Sequence, residues 1–315
     1  MHTVSTELVV RKAPDGDVEE GILRCDNPAC GRRYPIVDGV ALMLPDLSRL
    51  SELSPILQPE VEAVLAQDGP DDAPLSHLLE HLSIYMDAHW GDRAEPGPDG
   101  PGAGFGLAQL QERVLGRTAA PVEAAVELGC SVGRTALALS RGAAVVAALD
   151  LSFGALRRAR RLCRGEAVRY SRRLSGRHYQ PATARAGEES RNIVFVCANA
   201  LDPPLAPGHF QRVLSLNVLD SLRSPGQLLS VADGLCAPGG ELLLASPYAW
   251  QSGIVDEAER LGVDPAAELR RRFSDGDRLE ARYTIEDEAE LDWRLRKDSR
   301  AAALYRTHYL RLRKA

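Results

Sequence analysis

The sequence has no window approaching the roughly 18 uninterrupted apolar residues that a membrane-spanning helix requires. Its first residues, MHTVSTELVVRKAPDGD, hold no apolar core of a secretory leader. Both absences lead to the expectation of a cytoplasmic protein with no membrane partner. Positive charge is not in excess either. The 38 Lys and Arg against 44 Asp and Glu give a formal net charge of −6, which speaks against a protein that coats nucleic acid and favours a small-molecule partner. Cysteine is sparse and scattered. Four of the six (Cys25, Cys30, Cys130, Cys163, Cys197, Cys236) sit in apolar or small-residue runs, the pattern of reduced buried thiols and not of a disulfide framework. No internal repeat is present. At 315 residues the chain can bury a substantial core, and one large domain with a smaller companion is expected.

Punctuation divides the chain. Residues 1–48 read as a compact unit with strand-like runs at Glu7–Arg11, Gly21–Cys25 and Val40–Leu44, and turn signals at Pro14, Asp15, Gly16 and at Asp38, Gly39. Residues 49–105 read as a helical lid and linker: 49–92 are helical in pattern, and Gly91–Gly106 (GDRAEPGPDGPGAGFG) has too little apolar surface to fold by itself. In residues 106–315, strands alternate with helices: AAVEL, a helix from Arg134, AVVAALD, a helix from Phe153, NIVFVCA, RVLSLN, a helix from Pro225, and ELLLASP. Short runs rich in Val and Leu are what parallel strands covered on both faces require. The fold class is therefore α/β, a doubly wound sheet, with a small N-terminal α+β unit.

The stretch VELGCSVGRTALALS, Val126–Ser140, admits two readings. Gly129-Cys130-Ser131-Val132-Gly133 spells GxSxG, a nucleophile elbow with Ser131 as nucleophile; the same glycines also suit a turn that admits a nucleotide-like cofactor. The neighbours favour the cofactor turn. Glu127 is the penultimate strand residue, and Asp150 ends the next strand about twenty residues later, where a carboxylate can accept both hydroxyls of a ribose. An elbow also needs an oxyanion-hole loop on an earlier strand, and then an acid and a histidine in that order. No such loop precedes Val126; only the order could be met, by Asp202 and His308.

Glu127, Gly129, Gly133 and Asp150, followed by CANALDPPL (Cys197–Leu205), FQRVLSLNVLD (Phe210–Asp220) and LCAPGGELLLASPY (Leu235–Tyr248), resemble the successive motifs of class I S-adenosylmethionine-dependent methyltransferases. The resemblance covers about two-thirds of the chain, with Ser131 where the family usually has a third glycine. It implies a seven-stranded Rossmann-like sheet and S-adenosyl-L-methionine as cofactor. Gly129 and Gly133 would let the backbone approach its methionine part, with Glu127, Cys130 and Ser131 around that turn. Asp150 and the adjoining Leu151 would hold the ribose, Asn199 and Ala200 would flank the adenine, and Asn217 would sit beside the sulfonium. Methyl transfer needs mainly alignment, because the donor is already activated; a base is needed only if the acceptor keeps its proton. Candidates are Asp220, Tyr248, His178 and Tyr179. The NVLD after the fourth strand, where amino-methylating nucleic-acid enzymes have NPPY, argues against adenine N6 as acceptor.

Three further segments bear on function. LRCDNPACGRRYPIVDGVALMLPD (Leu23–Asp46) resembles the small zinc-binding methyltransferase-activator domain, with Tyr34, Pro35, Ile36, Asp38 and Gly39 matching its YPIxDG signature. Only Cys25 and Cys30 are present as ligands, with His2 a remote third, so a metal-free version without zinc is expected. LSIYMDAHWGD (Leu82–Asp92) places Tyr85, His89 and Trp90 at helical spacing; in many members of the resembled family such a helix closes over the cofactor with an aromatic near the sulfonium, which would make Tyr85 a cofactor contact. Its alternative is a helix packing its aromatic face on the domain. Arg164–Arg191 clusters Arg169, Arg172, Arg173, Arg177 and His178 with Tyr170 and Tyr179, either an anion-binding group near the crevice or a solvated excursion. With NVLDSL and SPYAW it resembles the methyltransferase domain of enzymes that methylate a mercaptohistidine ring nitrogen. The expectation is methyl transfer to a small or amino-acid-like acceptor, anionic if those arginines serve it. The rival readings are an RNA or translation-protein acceptor and a serine hydrolase using Ser131.

Overall fold

The computed structural model describes residues 3–45, 74–94, 110–113 and 120–315. The helical reading of residues 49–73, most of the Gly91–Gly106 linker, and His2 lie outside the described residues.

The apolar runs of residues 120–315 become strands buried on both faces: β5 (Val122–Leu128), β6 (Ala143–Asp150), β9 (Ile193–Cys197), β10 (Phe210–Leu216) and β11 (Cys236–Ser246). They pair in parallel in the order β9-β6-β5-β10-β11. The long antiparallel pair β12 (Tyr283–Arg296) and β13 (Ala302–Lys314) closes that side, β13 pairing with β11. Helices α2 (Arg134–Leu139), α3 (Phe153–Cys163) and α4 (Pro225–Leu235) begin at the residues expected from sequence. Ser152 caps α3 and Ser224 caps α4 by accepting backbone N–H groups, and Pro225 occupies the first turn, where no N–H is missed. The chain leaves β5 toward β6 and β9, then returns to the far side of β5 as β10, so the order reverses there and a crevice opens at the strands' carboxyl ends.

The sheet is larger than the seven strands expected. Four N-terminal strands extend it to eleven: β1 (Val4–Lys12), β2 (Val18–Cys25), β3 (Arg33–Val37) and β4 (Val40–Leu42). Residues 3–45 hold these strands and no helix. β4 pairs in parallel with β9, Ala41 opposite Val196 and Leu42 opposite Cys197, and Met43 N donates to Cys197 O at 2.9 Å. Arginines of α3, with Arg164 at its C-terminal end, fix the attachment. Arg157 meets Asp38 at 2.6 Å, Arg160 meets Asp17 at 2.9 Å, and Arg164 pairs with Asp15 and Asp17. Gly39, at φ 71°, leaves the space that the Arg160 guanidinium fills.

Above the crevice lies a roof of three pieces. Helix α1 (Pro74–Trp90) rests on a hairpin, β7 (Val168–Ser175) with β8 (His178–Ala184), and on the far end of the β12–β13 pair. Asp87 of α1 joins them: it accepts from Arg172 Nε at 2.7 Å and Tyr170 Oη at 3.2 Å, and lies 3.8 Å from Arg296 Nη1. Ser299, at the β12–β13 turn, donates twice to Leu174 O. Asp87 is 3% exposed and Arg172 2%, so each needs the other: a buried charge left without its partner costs several kcal/mol. Asp87→Ala is expected to lower unfolding stability by about 3–5 kcal/mol in urea denaturation. A loss below about 1 kcal/mol, the level of an exposed pair, would show that the roof does not depend on this contact.

Candidate functional site

The turn after β5 takes three left-handed residues within five: Gly129 (φ 81°), Ser131 (φ 49°) and Gly133 (φ 77°). Space explains the two glycines. A Cβ on Gly129 would lie 2.4 Å from Val218 Cγ2, and one on Gly133 2.7 Å from Ala159 Cβ on α3. Gly129 N and Cys130 N both donate to Leu149 O at 2.8 Å, which binds the turn to β6. Asp150, ending β6, then accepts from Ser131 N and Ser152 N, each at 2.8 Å. One carboxylate thus ties the turn after β5 to the turn after β6. The roof reaches the same turn: Trp90 Nε1 donates to Val132 O at 2.9 Å, and the Arg134 guanidinium stacks over the Trp90 ring while gripping Asp92 through two 2.9 Å bonds.

These loops, α1 and the end of β12 enclose a cavity of about 270 Å³. Glu127, Gly129, Ser131, Asp150, Leu151, Asn199, Ala200, Asn217 and Tyr85, all expected from sequence, line it. Asn199 does two things: its Oδ1 caps a turn by accepting Leu201 N at 3.0 Å, and the residue still faces the cavity. Tyr85 lies between two histidines of the same helix, with ring centroids 4.5 Å from His81 and 6.2 Å from His89. Burial, with Asp150 and Asp220 nearby, pushes the Tyr85 hydroxyl up to about 12.

Other expectations are corrected. Cys130 is buried with its Sγ toward Ser131 O, a space-filling thiol that does not line the cavity. Gly133 sits behind the wall as the α2 cap packed on α3. None of the four base candidates lines the cavity among the described residues. Asp220 is buried and accepts Ala249 N at 3.0 Å; Tyr248 gives its hydroxyl to His308 Nδ1 at 2.6 Å; His178 is exposed at the hairpin turn and Tyr179 follows it on β8. The arginine cluster is a packing device and not an anion trap, because the hairpin lies behind α1. Arg172 holds Asp87, Arg173 pairs with Glu80 and donates its N–H to Ser83 Oγ, and none of Arg169, Arg172, Arg173 and Arg177 lines the cavity. In the hydrolase reading His308 would serve Ser131, yet its ring nitrogens meet Tyr248 and, at 2.8 Å, Glu288. Cys25 and Cys30 lie side by side, and among the described residues no group of three or more His, Cys, Asp or Glu could hold a metal.

Lining residues that the sequence reading missed are His81, Leu110, Thr135, Ser152, Ala155, Ala198, Leu216, Val218, Ser221, Leu222 and Trp293. His81 stands one turn before Tyr85, so the helical spacing that picked out Tyr85 and His89 contained it. Trp293 comes from β12, more than seventy residues from the other turns of the lining, and had no local signal.

Two unsatisfied atoms mark what the cavity suits. Glu127 Oε2 and Asn217 Oδ1 are buried without a hydrogen-bond partner, and such atoms are costly unless a ligand supplies a donor. Burial and the negative Asp150 push the Glu127 carboxyl up to about 8, only partly offset by Ala136 N–H and the Thr135 hydroxyl. Burial raises Asp150 as well. Two acids at the turn, one of them orphaned, favour a cationic ligand that donates hydrogen bonds.

Residues 126–244 match the family model described as a methyltransferase domain. This segment is a methyltransferase domain. The match runs from β5 into β11 and leaves out the N-terminal strands and the β12–β13 pair. No curated protein sequence matches the chain. Among solved structures, the chain resembles YcgJ protein from Bacillus subtilis at 10% identity and a TM-score of 0.45, over 66% of this chain and 97% of that one. N-methyltransferase NodS from Bradyrhizobium japonicum WM9 gives 14% and 0.44, over 66% and 94%. A chain of the complex between the Haloferax volcanii Trm112 methyltransferase activator and a methyltransferase gives 16% and 0.46, over 79% and 99%. At these scores the likenesses set no limits on acceptor or partner. Among the described residues, no helix is long and apolar enough to cross a membrane.

The raised Glu127 carboxyl has a consequence for the ligand-free methyltransferase. The folded chain keeps a proton on Glu127 up to about pH 8, whereas the unfolded chain releases it near the usual 4.5. The folded state therefore binds more protons in this window, and stability falls as pH rises from about 4.5 to 8, at most by about 1.4 kcal/mol per pH unit. Urea midpoints across that range should show the decline, and Glu127→Gln should remove this part of it. An identical slope in wild type and variant would exclude the buried acid as its source.

Proposed function

We propose that the chain binds S-adenosyl-L-methionine in the crevice at the carboxyl ends of β5, β6, β9 and β10, and transfers its methyl group to a small acceptor. The orphaned Glu127 oxygen beside the left-handed turn carries this reading, since a ligand with an ammonium group next to a backbone-lined turn satisfies it. Asp150 holds the ribose hydroxyls through lone pairs left after accepting Ser131 and Ser152. Ala198, Asn199 and Ala200 flank the adenine, and Asn217 lies by the sulfonium. The cofactor supplies a methyl group already activated by positive sulfur, so the protein's contribution is orientation and exclusion of water.

The chain's own residues do that as follows. The turn's position is fixed by Leu149 O and by the Asp150 carboxylate. Tyr85, between His81 and His89, lines the crevice from α1. The cavity of about 270 Å³ is close to small-molecule size and is the space assigned to the cofactor. On the roof hairpin, Arg172 and Arg173 are paired with Asp87 and Glu80, which leaves these two guanidiniums unavailable to a phosphate backbone.

Isothermal titration of the intact protein with S-adenosylhomocysteine tests the reading. One-to-one binding is expected, and Asp150→Ala should weaken it by about tenfold to a hundredfold, the loss of charged hydrogen bonds to a diol. Absence of binding by the intact protein, or an Asp150→Ala variant that binds as the parent does, would sink it.

A further inference from the structure

The crevice carries charge of one sign. Among the described residues lining it, Glu127 and Asp150 are acids and there is no Lys or Arg. The guanidiniums around its roof are matched elsewhere: Arg134 grips Asp92, Arg172 and Arg296 face Asp87, and Arg173 pairs with Glu80. An anionic acceptor would meet the Asp150 carboxylate and no Lys or Arg side chain among the described lining residues, which is unfavourable. A group that ends the reaction as a cation meets the opposite situation.

The walls point the same way. Tyr85 from α1 and Trp293 from β12 present aromatic surface to the crevice, and Val218 and Leu222 add an apolar margin. Trp293 is braced by Tyr305 across the strand pair, at a centroid distance of 5.7 Å. Ring faces favour ammonium groups. Between these walls and the turn sits Asn217, at the end of β10 with φ 58°, whose Oδ1 is buried and has no donor. The two histidines of the lining titrate low: His81, an exposed residue, is lowered by the desolvation its site imposes, and burial with Arg134 nearby pushes His89 down to about 3. An acceptor that must first lose a proton, such as a phenol, finds little help from them.

We propose that the acceptor is an uncharged amine nitrogen on an apolar or aromatic body, flanked by Tyr85 and Trp293, with its N–H received by Asn217 Oδ1. The inference rests on the cofactor reading above. The nitrogen lone pair forms the new N–C bond as the methyl–sulfur bond breaks and its electron pair goes to sulfur. Positive charge thereby moves from sulfur to nitrogen, and the product ammonium releases a proton to water if it carries one. Throughout that shift the acids and ring faces stay close to the charge, so the site favours the cation at both ends of the transfer.

Saturation-transfer NMR on the full-length protein loaded with S-adenosylhomocysteine tests this, with benzyltrimethylammonium as the product-like probe and benzoate as its anionic counterpart. Half-saturation by the ammonium is expected at a concentration about tenfold lower than by benzoate. Trp293→Leu should remove most of that preference, and Trp293→Phe should keep it, while affinity for S-adenosylhomocysteine by titration stays within about twofold. Equal or better binding of benzoate to the wild-type protein overturns the proposal, whatever the variants do. So does a preference that survives intact in a folded Trp293→Leu. Wild-type protein that binds S-adenosylhomocysteine and shows no preference overturns the acceptor class alone; failure to bind S-adenosylhomocysteine overturns both it and the cofactor reading.

Discussion

Asp150 ties the site together. Its two oxygens take Ser131 N and Ser152 N at 2.8 Å, so one carboxylate at the end of β6 sets the shape of its own turn and of the turn after β5. Of the three left-handed residues in this turn only Ser131 carries a side chain, and it is the Ser131 N–H that the carboxylate holds. The turn in turn seats the end of α1 through Trp90 and Val132 O, and the roof follows from that. The same carboxylate also raises Glu127 by its negative charge. Burial is the larger cause of that rise, and a cationic ligand favours the ionised form of both acids.

The roof illustrates how a site can be completed by parts that have no catalytic chemistry. Asp87 collects Arg172 from one hairpin and Arg296 from another, and the three pieces it joins come from positions 87, 172 and 296 of the chain. A buried ion pair is a poor source of stability compared with apolar packing, but it is selective about geometry. That selectivity is what a cover over a ligand crevice needs: it keeps Tyr85 and Trp293 in the wall. The arginine-rich segment, which by composition resembles an anion site, is used for this instead.

At the other edge of the sheet, the N-terminal strands are held by backbone pairing to β9 and by the α3 arginines against Asp15, Asp17 and Asp38. The attachment is made of strand hydrogen bonds and ion pairs. It extends the sheet beyond the crevice and contributes none of the described lining residues.

Local patterns in the sequence were sufficient for the five parallel strands β5, β6, β9, β10 and β11, though not for β7, β8, β12 and β13, for the first residues of α2, α3 and α4, and for most of the cofactor-side lining, from Glu127 to Asn217 and Tyr85. Each depends on neighbours within a few positions: an apolar run, a cap, a glycine where only a left-handed turn fits, an acid ending a strand. β3 was missed because Pro35 interrupts a run that pairing with β2 nevertheless tolerates, at Ile22 opposite Pro35. The tertiary structure alone decided that Arg172 faces Asp87 and not a ligand, that Tyr248 is taken up by His308, that Trp293 closes the crevice, and that the N-terminal strands join the sheet. These outcomes join residues tens to hundreds of positions apart, and a side chain's partner across such a distance is set by how the sheet orders its strands, which residue type and spacing do not encode.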